Sequence, residues 1–196
     1  MQSYLSVCSE STHEKVIERS RFIARCAHAA GEDAARAFVA AVRAEHSLAT
    51  HNCFAFVADR KGNLLRFSDD GEPQGTAGMP MLEVLKNKKL FETVAVVTRY
   101  FGGIKLGAGG LVRAYAGTVS EALAQADIRE YTPCRELMLT VAYENFDALK
   151  KFLSSHECTV KDTDYAEKVC VLAAVKAENA PAFAAALTDH MAGRVA

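Results

Sequence analysis

Two segments of this sequence gather the residues able to do chemistry. The first is residues 98–117, TRYFGGIKLGAGGLVRAYAG, where a β-branched run passes into a glycine-dense stretch and then into a helical pattern. A helix N-terminus offers unpaired amides and a partial positive charge, and glycines let an anion approach that backbone closely. Arg99, Lys105 and Arg113 add formal charge around Gly107, Gly109 and Gly110. The chemistry this would serve is the binding of phosphate or another anion. The same glycines also suit a tight strand-to-helix turn in which they serve packing alone.

The second segment is residues 68–80, SDDGEPQGTAGMP. Asp69, Asp70 and Glu72 could together hold a hard divalent cation such as magnesium, although their spacing is not that of an EF-hand loop. Alternatively, Asp-Gly supplies the turn, and the carboxylates cap backbone amides or the helix that follows.

Neither segment completes a known phosphate motif. Gly102 and Gly107 have the Walker A separation, but Ala108 and Gly109 stand where Lys and Ser/Thr are required, and Val112 replaces the third glycine of a dinucleotide fingerprint. No nucleophile is supplied with a base. His51 and Cys53 are two apart and would share a strand face, yet no third group is evident to orient them. Ser20 and Ser68 have no partner base in the sequence, and His28 and His46 read as partly buried or surface residues.

These segments need elements to position them. Arg21 opens a strand over 21–28, and Ala35, Phe38, Val39 and Val42 set a helix over 32–45 by their i, i+3, i+4, i+7 spacing. A hairpin follows, with strands over 53–58 and 63–67 and a turn at 59–62. A helix over 80–89, a buried β-branched strand over 92–99 and a helix over 111–126 complete the first part. In that last helix Leu111, Tyr115, Val119, Ala122 and Leu123 form the packing face, with Arg113, Glu121 and Gln125 outward.

Nine of the twelve glycines lie between Gly71 and Gly117, and the texture changes after Thr132-Pro133. The domain boundary is therefore placed there, giving domains 1–132 and 133–196. The second part reads as strand 136–143, helix 146–155, strands 158–164 and 168–175, and helix 180–191. One further strand would complete a ferredoxin-like sandwich, and only residues 193–196 remain for it.

Composition narrows the classes. With 196 residues, half of them hydrophobic, 23 basic against 24 acidic and a mean hydropathy of +0.01, the chain is neither disordered nor fibrous. A net charge of -1 removes the simplest case for a nucleic-acid binder, a globally basic chain. Any such function needs a local patch, since residues 1–132 carry 16 basic and 15 acidic side chains. No apolar run is long enough for a signal peptide or a membrane span, so a cytoplasmic protein is expected. The six cysteines are scattered with no CxxC, which favours reduced structural thiols over a zinc site. Cys26 and Cys170, in apolar strand-like runs, are expected to be small buried hydrophobes.

Through Ser20-Arg21-Phe22-Ile23, His51-Asn52-Cys53, residues 68–80 and the run VVTRYFGGIKLGAGGLVRAYAG at 96–117, the sequence resembles the YigZ/IMPACT family. The resemblance implies an α+β protein. Its N-terminal α/β sandwich would resemble ribosomal-protein and elongation-factor-G domain IV folds. A ferredoxin-like sandwich similar to domain V of that factor would follow. Both relatives work on the ribosome. Eukaryotic family members carry an additional N-terminal RWD domain and regulate translation under amino-acid stress by competing for an activator of an initiation-factor kinase. The present sequence does not show that domain, so their partner is not carried over. GAGG at 107–110 faintly resembles the phosphate loops of small-molecule kinases of the same superfamily, without their serine-rich signature.

The expected function is a translation-associated regulatory or accessory protein, non-enzymatic and without a cofactor. It would bind RNA or the ribosome through Arg99, Lys105, Gly107, Gly109, Gly110 and Arg113. The rival is an enzyme that binds nucleotide or phosphate at the glycine loop and magnesium at Asp69, Asp70 or Glu72. A protein-interaction module in translation control is the third reading.

Overall fold

A computed structural model describes residues 3–192 together with Arg194 and Val195. By internal contacts the chain divides into two compact units, one from Tyr4 to Tyr131 and one comprising Ser3 with the residues from Thr132 onward. The class is mixed α+β, with three separate sheets among the described residues.

The larger unit is built on five antiparallel strands: β2 (Ser11–Ile17), β3 (Ser20–His28), β4 (His51–Val57), β5 (Leu65–Ser68) and β6 (Thr93–Tyr100). They lie in the order β2-β3-β6-β4-β5. Successive side chains of a strand point to opposite faces, and here both faces are covered. Val94 and Val96 of β6 pack with Ala35, Val39 and Val42 of α1 (Glu32–Glu45). Ala95 and Val97 face a larger core with Met81, Leu82 and Leu85 of α2 (Gly78–Asn87), and Leu111, Tyr115 and Val119 of α3 (Gly107–Ala124). A strand buried on both faces reads as a near-continuous apolar run without alternation, and residues 93–98 are β-branched at every position but Ala95.

Three strands of this unit have no counterpart in the sequence reading. β2 is an edge strand whose charged side chains pair on opposite faces of the sheet, Lys15 with Glu121 of α3 at 2.8 Å and Glu14 with Arg21 of β3 at 2.6 Å. β1 (Tyr4–Val7) and β7 (Ile128–Tyr131) form a separate antiparallel ribbon. Its Tyr4 hydroxyl donates to Glu92, which also accepts from Arg60.

The start of α3 corrects the sequence reading. The helix begins at Gly107 and not after Gly110, so Gly109 and Gly110 lie within its first turn. Gly107 takes a φ of +69°, a left-handed conformation that favours glycine. At Gly110 a Cβ would come within 2.9 Å of the Leu106 Cβ, so close packing, not loop flexibility, accounts for that residue.

The smaller unit runs β8 (Cys134–Val141), α4 (Tyr143–Ser155), β9 (Cys158–Tyr165), β10 (Val169–Lys176) and α5 (Ala180–Met191). Its three strands are antiparallel in the order β8-β10-β9. Val169, Val171, Ala173 and Val175 alternate into a core with Phe152 and Leu153 of α4 and Phe183 and Leu187 of α5. The intervening Cys170 is half-buried on the other side, unlike Cys26, which is fully buried. Of the segment expected as a short last strand, Gly193 and Ala196 lie outside the described residues, and Arg194 and Val195 belong to no regular element. No helix among the described residues is long and apolar enough to cross a membrane.

Candidate functional site

The two chemical segments meet at one end of the five-stranded sheet. Residues 69–77 leave β5 and return to α2, and the glycine-dense run leaves β6 and enters α3. Each carboxylate of the first segment has its own set of partners. Asp69 accepts from the amides of Gly75 at 2.8 Å, Ala77 at 3.0 Å and Gly78 at 2.8 Å, which fixes the loop and serves the orphan donors at the start of α2. Asp70, at a φ of +46°, accepts from Arg43 at 2.7 Å and from the Asn52 amide at 2.6 Å. Its own carbonyl accepts from His51 Nδ1 at 2.8 Å, which puts a proton on that nitrogen.

Glu72 turns inward. Its Oε1 accepts from Arg99 Nη1 at 2.6 Å and from the Tyr115 hydroxyl at 2.7 Å, with His51 Nε2 3.8 Å away. Arg99 and Glu72 are buried, their side chains 5% and 4% exposed. Arg99 also donates to Ser20 Oγ at 3.2 Å, and its guanidinium lies 5.3 Å from the centres of both the Phe22 and Phe101 rings. Its Nε is buried without a partner. A guanidinium held in this way is part of the core.

The structure therefore separates residues that the sequence grouped. Asp69, Asp70 and Glu72 do not converge, and no set of three or more His, Cys, Asp or Glu among the described residues could hold a metal ion. Arg99, read from the sequence as part of an exposed basic set, is buried against Glu72. Lys105, Gly107, Gly109 and Arg113 remain exposed, with Gly110 half-buried. Sequence reasoning missed Tyr115 as the second donor to Glu72 and the Asp70 carbonyl as the partner of His51. Neither contact has a signature in residue spacing, because both join segments distant in the chain.

Two cavities flank the start of α3. One, of about 400 Å³, is lined by residues including Thr50, His51, Glu72, Pro73, Arg99, Phe101, Lys105, Leu106, Gly107 and Leu111. The other, of about 380 Å³, is lined by residues including Ile17, Glu18, Ile104, Lys105, Gly110 and Arg113. Lys105 borders both. Phe101 is 46% exposed and Ile104 36% exposed, so apolar surface lies beside the cations.

Cys53, beside His51 on β4, is not an activated nucleophile. Its thiol donates to the Asp69 carbonyl, and burial pushes it up to about 12. Cys26 is likewise pushed up to about 12 by burial. Tyr115 is raised far above the usual phenol range by burial first, and then by Cys53 and Glu72. Reaction needs the thiolate. In the native protein at pH 8, exposed Cys8 and Cys134 are expected to react promptly with a thiol reagent, while Cys26 and Cys53 react on unfolding. Mass spectrometry of the modified cysteines checks this, and prompt labelling of Cys53 would contradict its burial.

The Impact N-terminal domain model matches residues 18–123, and a domain of unknown function, DUF1949, matches residues 139–194. The IMPACT family member YigZ of Escherichia coli is 42% identical over 195 residues, covering 98% of this chain and 96% of the relative. YvyE of Bacillus subtilis, another IMPACT family member, is 40% identical over 194 residues, covering 99% of this chain and 89% of the relative. A crystal structure described as that of a hypothetical protein is 41% identical and superposes with a TM-score of 0.71, covering 100% of this chain and 96% of the other. With a family model across more than half its length and relatives of 40% and 42% identity along nearly all of it, the chain belongs to the IMPACT family.

Proposed function

We propose that the protein is a translation-associated regulatory or accessory protein that binds RNA, on the ribosome or free, through the surface around the start of α3. One observation carries this reading. Arg19, Lys105 and Arg113 are exposed and have no ion-pair partner among the described residues, whereas Arg21, Arg25, Arg36, Arg43, Arg60, Arg66 and Arg99 of the same unit each meet a carboxylate. Arg19 adjoins this surface, because Gly102 packs on its carbonyl. Free cations beside an exposed aromatic ring suit a polyanion whose bases can stack. The resemblance of the larger unit to ribosome-acting folds, and of the smaller to a ferredoxin-like sandwich, agrees with this role.

The net charge of -1 implies modest affinity that depends strongly on salt. Each phosphate contact contributes about 0.7 to the log-log salt slope for single strands and about 0.9 for duplex. The Lys105→Ala, Arg113→Ala double variant is therefore expected to lose about 1.4 from the single-strand slope. It should also leave the ribosome pellet at salt concentrations where the parent protein still co-sediments. A second lysine cluster serves as the control: Lys86, Lys88 and Lys89, around the C-terminal end of α2, are expected to be replaceable by alanine with RNA binding kept. Loss of binding in that triple variant, with the double variant unaffected, would move the interface to α2.

A further inference from the structure

We propose that the 400 Å³ cavity beside the start of α3 takes one unstacked nucleobase of a single-stranded RNA, whose phosphates lie on Lys105 and Arg113. This rests on the RNA-binding reading above and makes it specific for single strands.

The argument begins with charge. Of the three charged side chains on the cavity wall, Arg99 and Glu72 are 2.6 Å apart and buried and so cancel each other, which leaves Lys105 as the unpaired one. The remaining wall is largely apolar, supplied by Pro73, Phe101, Leu106 and Leu111. A phosphate against this wall would lose its water with one unpaired cation, Lys105, among the lining residues, whereas both Lys105 and Arg113 line the second cavity. A flat, uncharged ring with a polar edge meets the opposite conditions. Phe101 offers a partly exposed aromatic surface, and Thr50 and His51 offer polar groups. The imidazole is held by the Asp70 carbonyl at 2.8 Å, so it is set in place before any ligand arrives.

Size and surroundings agree. The volume lies at the low end of the range of about 300–1,000 Å³ for small-molecule sites, which suits one nucleotide unit and not a stretch of chain. Of the free cations, Lys105 lines both cavities and Arg113 lines the second. A backbone crossing Lys105 would place its phosphates on cations and turn a base toward Phe101. Duplex RNA keeps its bases paired and stacked and cannot do this, whereas single strands present bases to aromatic side chains.

The test measures affinity by fluorescence anisotropy for a single-stranded oligouridylate and for duplex RNA, with polyphosphate and uridine monophosphate as competitors. The proteins are the full chain, Phe101→Ala, Phe101→Tyr, and Lys105→Ala, Arg113→Ala. The parent should prefer the single strand. Phe101→Ala should bind it about tenfold more weakly, with affinity for duplex and polyphosphate unchanged, and Phe101→Tyr should restore it. The double variant should weaken binding to all three polyanions. If Phe101→Ala has no effect, or weakens single strand and duplex alike, while the double variant still weakens all three, the base pocket is overturned and the RNA surface stands. Uridine monophosphate competing as tightly as the oligonucleotide overturns the RNA assignment of the cavity in favour of a free nucleotide. A parent protein that binds no RNA overturns both readings.

Discussion

Glu72→Gln should lower the stability of the larger unit by about 3–5 kcal/mol, the cost of leaving a buried charge without its counter-charge. The isosteric amide keeps a side-chain acceptor for Tyr115, so the change isolates the missing charge opposite Arg99. For a unit of this size the melting temperature should fall on the order of 10–20 °C. Arg99 cannot escape easily, because Phe22 and Phe101 flank its guanidinium and Ser20 holds its Nη2. Glu72→Leu combined with Arg99→Met removes both charges and should recover much of the loss, since a buried pair often contributes little net stability over apolar groups of similar volume. Urea and thermal melts of the parent, both single variants and the pair provide the double-mutant cycle. A loss below about 1 kcal/mol for Glu72→Gln, in the range of a surface ion pair, would mean that the two groups are solvated in solution.

The same pair marks where sequence reasoning stops. Strand β6 was legible because an apolar β-branched run covered on both faces has few alternative fates. Alternation along it, with Ala95 and Val97 facing α2 and α3, also puts Arg99 on that covered side. Type and charge alone had suggested an exposed phosphate contact, and periodicity was the better guide. The partner was not legible at all: Glu72 lies 27 residues earlier, in a loop whose path depends on Asp69 holding three amides. Tyr115 could be read as a core residue from its i+4 relation to Leu111, yet nothing in that spacing shows that its hydroxyl reaches Glu72.

The elements follow a similar division. α1 was legible to its ends, because Ala35, Val39 and Val42 mark one face and Gly31 precedes it. β2 was not, because an edge strand carrying Thr12, Glu14 and Val16 outward owes its place to pairing with β3, and its own pattern is weak. β1 and β7 are four residues each and exist through each other. They bracket the larger unit from its two ends, a relation that no local window contains.

The glycine-dense run, read from the sequence as one anion-binding loop, should separate under substitution into positions with opposite effects. At Gly102 a Cβ would lie 2.0 Å from the Arg19 carbonyl oxygen and 2.1 Å from its carbon, backbone against backbone. Neither partner is the end of a flexible side chain, so the β2–β3 turn or the end of β6 must move. Gly102→Ala is expected to cost about 3 kcal/mol or more, at or beyond the upper end of ordinary overpacking. It should also displace Arg19 and Phe101 and weaken RNA binding. Gly109, by contrast, lies in the first turn of α3, and the nearest group its Cβ would meet is Arg113 Nη1 at 3.7 Å. Gly109→Ala should stabilise by up to about 1 kcal/mol, the helix-propensity gain of alanine over glycine. Thermal melts of the two variants, read beside their RNA affinity, decide the role of each glycine. If Gly109→Ala is stable but no longer binds RNA, an anion approaches the backbone at that residue. If it is stable and binds as the parent does, the affinity resides in Lys105, Arg113 and Phe101, and Gly102 serves by letting the Arg19 turn pack against the end of β6.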